Sequence, residues 1–180
     1  FKDTESTFMK GSGGMLRNDR LNTSVPGHFG YIKINRTLLN GSTVLTGKYI
    51  QPDNLNDKDQ TVMLFGLPRP VQPGETLTLD MDFTARLPRI FARTGWAADD
   101  YFFAGQWFPK IGVLEKSGTW NCHQFHANTE FFSDFGEYRV NITLPRRFTV
   151  AGTGSKIAEN PVKGDKKVVS FRAEDVHDFA

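Results

Sequence analysis

Cys122, His123, His126 and Glu130 place a thiol, two imidazoles and a carboxylate within nine residues. Sulfur, nitrogen and oxygen donors of this kind are what zinc takes. Two imidazoles can share an ion only if they reach the same side of the chain. On a strand the three-residue offset between His123 and His126 sends them to opposite faces, and the flanking apolar residues lack the spacing of a helix. The expectation is that these residues hydrogen-bond within a sheet, with no metal ligand and no catalytic residue assigned. Cys122 is the sole cysteine, which excludes an internal disulfide and reads as a small buried apolar group.

Two glycine-rich stretches invite comparison with phosphate loops. Gly11-Ser12-Gly13-Gly14 follows no visible strand, and Gly152-Thr153-Gly154-Ser155-Lys156 lacks the spacer and the Gly-Lys-Ser/Thr order that wrap a phosphate. Both read as turns. The aromatic set Trp96, Tyr101, Phe102, Phe103, Trp107 and Phe108 is a possible stacking platform. Strand alternation sends Tyr101, Phe103 and Trp107 to one face and Phe102 and Phe108 to the other. Part of the set must then meet something beyond a single core, and a neighbouring domain is preferred to a carbohydrate.

The elements that must position these groups read as strands. Seventeen Gly and nine Pro are spread so evenly that no long pattern of 3.6-residue period survives. Residues 76–87 alternate Leu77, Leu79, Met81, Phe83, Ala85 and Leu87 with polar neighbours. Tyr138, Val140, Ile142 and Leu144 do the same and stop at Pro145, which cannot donate to a ladder. Shorter strands are expected at 29–34, 43–50, 61–65, 101–107, 120–125, 148–152 and 167–173, with Asn160-Pro161 among the turns between them. Half-polar alternation favours antiparallel sheets, so the fold class expected is all-β, a sandwich or saddle-like assembly. One domain spans 1–180, with residues 1–27 largely loop.

Sixteen Phe, three Trp and four Tyr supply ample core material. Lys and Arg number 22 against 20 Asp and Glu, and a net charge of +2 gives no electrostatic reason to expect nucleic acid or an acidic membrane. No apolar run is long enough to cross a bilayer as a helix.

Gly105-Gln106-Trp107-Phe108-Pro109-Lys110-Ile111-Gly112-Val113, then Trp120, His126-Ala127-Asn128-Thr129-Glu130-Phe131-Phe132 and Phe135-Gly136-Glu137-Tyr138, resembles the N-terminal β domain of aminopeptidase-N-like zinc metallopeptidases, the gluzincins, and in particular a bacterial branch. Leu67-Pro68-Arg69-Pro70 with Pro73-Gly74-Glu75, Val150-Ala151-Gly152-Thr153-Gly154 and Phe171-Arg172-Ala173-Glu174 extend the likeness. The resemblance implies a non-catalytic domain that walls the active-site cleft of an aminopeptidase and helps position the peptide N-terminus. It implies that zinc sits in a C-terminal catalytic domain of the same protein, on a His-Glu-x-x-His helix; no His-Glu pair occurs here, so no cofactor is expected in this piece. Strands are expected before Phe1 and the catalytic domain after Ala180, with self-association through exposed sheet edges.

The family's amine-anchoring motif is carried over position by position from Phe108-Pro109. Its acidic place falls on Asp100, whereas its Gln and Arg places fall on Ala98 and Gly105, a departure at two of three positions. The resemblance thus gives Asp100 as the candidate amine anchor, with Tyr101 and Gln106 as neighbours able to serve instead; the plain alternative for Asp100 is a surface turn acid. Two other classes compete: a freestanding β-sandwich binding module for carbohydrate or protein, and an independent metalloprotein using Cys122, His123 and His126.

Overall fold

The computed structural model describes residues 3, 5–10, 26–90, 93–126 and 132–180. It is mostly β, built of antiparallel sheets that do not close into a barrel. Strand β1 (Tyr31–Leu39) turns at Asn40 and Gly41 into the short β2 (Thr43–Val44), and Asn40 adopts the left-handed backbone at φ 51° that its small polar side chain tolerates. A single strand over 43–50 was the expectation. It breaks after Val44, where Leu45 is buried and its N–H bonds to the Thr37 carbonyl, and resumes as β3 (Gly47–Ile50), which pairs with β4 (Val62–Phe65).

β5 (Leu79–Arg86) returns antiparallel to β1, with Ile34 opposite Phe83 and a bulge at Asn35. Leu79, Met81 and Phe83 are half-buried while Asp80, Asp82 and Thr84 are exposed, as alternation requires. β6 (Gly95–Ala97) and β7 (Tyr101–Phe103) form a two-stranded hairpin, and β8 (Val113–Leu114) pairs with β9 (Trp120–Asn121). Strands expected to reach 107 and 125 therefore stop at Phe103 and Asn121. Gln106, at φ 52°, cannot continue an extended chain.

The largest sheet places β12 (Lys166–Val176) between β10 (Gly136–Pro145) and β11 (Ser155–Val162). Val169, Phe171 and Ala173 are buried at every second position, opposite Ile142, Val140 and Tyr138, so both strands turn one apolar face to the same core. The expectation of a strand at 148–152 fails. That segment is irregular, with Val150 packed on the core, and the ladder is formed by β11 instead. Asn160 and Pro161, expected as a turn, lie inside β11 opposite Val168 and Lys167; β11 is an edge strand, where a proline is tolerated.

The core over this sheet is aromatic. Phe171 and Phe179 meet edge to face at 5.9 Å, Trp107 and Phe108 at 5.1 Å, and Phe108 and Tyr138 at 6.0 Å. Phe179 is 2 % exposed, and full burial of such a side chain contributes about 2 to 3 kcal/mol. The Trp107 indole N–H donates to the Phe179 carbonyl at 3.1 Å, and Phe83 of β5 lies 6.2 Å from Trp107, tying the first sheet to this core. A second cluster joins Phe8, Met9 and Phe29, with Phe125 stacked on Phe8 at 5.0 Å. Phe8 and Met9 belong to α1 (Thr7–Lys10), a helical turn within the segment read as largely loop. The Gly11-Ser12-Gly13-Gly14 turn and Glu130 lie outside the described residues. No described helix is long and apolar enough to cross a membrane.

Candidate functional site

Past Asn121 the chain leaves β9 and meets the loop between β3 and β4. Gln124 locks the two segments together. Its backbone N–H donates to Asp53 Oδ2 at 2.8 Å, while its side-chain Oε1 accepts the Asp53 N–H at 2.9 Å. Its amide nitrogen donates to Asn54 Oδ1 at 2.9 Å and to Thr7 Oγ1 at 3.4 Å. Gln124 is wholly buried, and every polar group of its side chain is paired, which such burial demands. Asp59, in the same loop and equally buried, accepts the Thr7 N–H at 2.8 Å and the Thr61 N–H at 2.9 Å. Burial alone would raise its carboxyl; the bonds from Thr61 and Thr7 outweigh that and hold it below the usual carboxylate range.

This clasp brings Asp53, His123 and His126 together. His126 Nε2 lies 2.7 Å from Asp53 Oδ2, and His123 Nδ1 lies 2.8 Å from the Gln124 carbonyl. The imidazole rings are 6.1 Å apart, and one donor atom from each of the three residues falls within 4.8 Å of the others. The expected separation of the two histidines onto opposite faces is thus corrected. It presupposed a strand through residue 126, and the strand ends five residues earlier, at Asn121. Both imidazoles do hydrogen-bond, but to loop partners. Burial pushes the Cys122 thiol up, and the negative charge of Asp53 adds to the shift, so Cys122 is held neutral beside the cluster.

The three amine-anchor candidates lie elsewhere. Asp100 ends the exposed turn of the β6–β7 hairpin, with the Arg147 guanidinium 3.7 Å away. Arg147 itself lies over the Phe148 ring at 4.6 Å, and Phe148 meets Phe102 edge to face at 5.9 Å. Tyr101 is exposed on β7. Gln106 lines a groove of about 570 Å³ with Tyr31, Tyr49 and Trp107, which neither Asp100 nor Tyr101 lines. Among the described residues the charged side chains on that groove are Lys33, Lys58 and Arg86, all cationic.

Asp53 and Gln124 carried no signal in the sequence. Asp53 follows Pro52 as an ordinary turn residue would, and it lies 70 positions from His123. Comparison with protein families, with curated proteins and with solved structures found no match to this chain.

Proposed function

We propose that this chain is the N-terminal, non-catalytic β domain of a zinc metallopeptidase of aminopeptidase type, a sandwich or saddle of antiparallel sheets walling the active-site cleft. The Trp107-Phe108-Pro109 and His126-Ala127-Asn128-Thr129-Glu130 passages support the family, and the antiparallel β architecture agrees with it. The observation that carries the docking role is the β6–β7 hairpin. Tyr101, Phe102 and Phe103 are 56 %, 54 % and 39 % exposed, so aromatic rings stand in solvent on both faces of one short strand. Covering these three rings removes roughly 300 Å² of apolar surface, about 7 kcal/mol before the costs of association. The partner is the catalytic domain of the same protein, which supplies the zinc. Asp100, at the turn of this hairpin, then stands at the domain boundary as anchor for the peptide's ammonium, with Tyr101 beside it and Gln106 nearer the groove.

The test is an aminopeptidase assay on aminoacyl anilides. The reading predicts that the 180-residue chain alone is inert and that the whole gene product is active and inhibited by chelators. A gene product with no zinc-hydrolase segment, or activity in the 180-residue chain, refutes the reading. The exposed Tyr101, Phe102 and Trp120 also suit a freestanding module for carbohydrate or protein. Micromolar binding of a glycan or peptide by the chain alone would favour that alternative.

A further inference from the structure

We propose that Asp53, His123 and His126 form a divalent-metal site of the zinc class on this domain itself, separate from any metal of a catalytic domain. The donor set is two imidazole nitrogens and a carboxylate oxygen, all within 4.8 Å of one another. Imidazole donors favour zinc and its neighbours in the first transition row over calcium or magnesium. Three protein ligands leave a fourth position for water.

The surrounding bonds orient these donors. A carbonyl oxygen only accepts, so the 2.8 Å contact with the Gln124 carbonyl puts the hydrogen of a neutral His123 on Nδ1 and leaves its Nε2 lone pair for a metal. Asp53 Oδ2 is fixed by the Gln124 N–H at 2.8 Å. The polar scaffold therefore comes from a side chain with no solvent exposure, Gln124, which spans both ligand-bearing segments. His126 Nε2 already points at Asp53 Oδ2 from 2.7 Å. An ion held at about 2.0 Å from each atom needs them about 3.3 Å apart. That opening is about 0.6 Å, within reach of an imidazole that is one-third exposed.

The experiment uses the chelator-stripped 180-residue chain titrated with Zn²⁺ against a chromophoric competitor, and with Co²⁺ read by its visible absorption bands. One equivalent of Zn²⁺ binds, Co²⁺ gives the spectrum of a low-coordinate nitrogen and oxygen site, and Zn²⁺ raises the unfolding temperature. His126→Ala and Asp53→Asn each weaken Zn²⁺ binding on the order of 100-fold. Asn at 53 keeps an acceptor for the Gln124 N–H, so a folded variant is available even if His126→Ala unfolds. Replacing the other two histidines, His28 and His177, with Ala leaves binding unchanged. Sub-stoichiometric binding, or binding indifferent to both Asp53→Asn and His126→Ala, overturns the proposal. Neither result bears on the accessory-domain reading, whose assay measures peptide hydrolysis by the whole gene product.

Discussion

Replacing Asp53 by alanine opens the clasp between the β3–β4 loop and residues 122–126. The carboxylate accepts the Gln124 N–H at 2.8 Å and lies 2.7 Å from His126 Nε2. Gln124 is wholly buried, so its orphaned N–H costs about 1 to 3 kcal/mol. The His126 contact is about one-third exposed on the imidazole side, and solvent screening limits its share to under about 1 kcal/mol. Asp53→Ala should therefore lose about 2 kcal/mol, a fall of about 4 to 8 °C in unfolding temperature for a chain of this length. Asp53→Asn retains an acceptor and should lose less than about 1 kcal/mol. Both are measured by urea and thermal unfolding in the presence of a chelator, followed by tryptophan fluorescence and circular dichroism. If Asp53→Ala stays within about 0.5 kcal/mol of the parent, the clasp does not hold these segments together and the geometry built on it falls.

Three further outcomes follow from packing and charge. Asp59 has a folded-state carboxyl below its usual range, so its contribution is present above about pH 4 and is lost as pH falls through the lowered value. Urea midpoints at low and neutral pH should fall more in the parent than in Asp59→Asn, and parallel losses would contradict this. Gly154→Ala drives a Cβ into the Arg172 carbonyl oxygen at φ 81° and should cost more than about 2 kcal/mol, whereas Gly74→Ala at φ 79° meets nothing within 4 Å among the described residues and should cost about 1 kcal/mol. Equal midpoints for the two variants in urea would refute the close approach of residue 154 to β12. Trp107→Phe removes the donor to the Phe179 carbonyl and should cost about 1 kcal/mol or more by the same assay.

Strands with one wet and one dry face were legible in the sequence. β5 and β10 declare themselves because Phe83 and Val140 alternate with polar neighbours over eight residues, and β12 does so over the shorter stretch 169–174 around Phe171. β11 does not, since all but one of its residues are exposed and it holds its place by main-chain bonds at a sheet edge, carrying Pro161 with it. Residues 148–152 are apolar enough for a strand, yet Val150 packs on the core while the segment joins no ladder. At the candidate metal site the two histidines were visible, but their arrangement depended on where β9 ends. The third donor, Asp53, and the residue that fixes it, Gln124, arise only from tertiary contact. The two-faced aromatic hairpin was the reverse case: alternation alone implied that Tyr101 and Phe102 could not both face one core, and both are exposed.

The accessory-domain account rests on those rings being covered in the whole protein. Hydroxyl-radical footprinting of Tyr101, Phe102 and Phe103 compares the 180-residue chain with the full gene product. The account predicts strong labelling in the isolated chain and several-fold protection in the full product; equal labelling in both would contradict it.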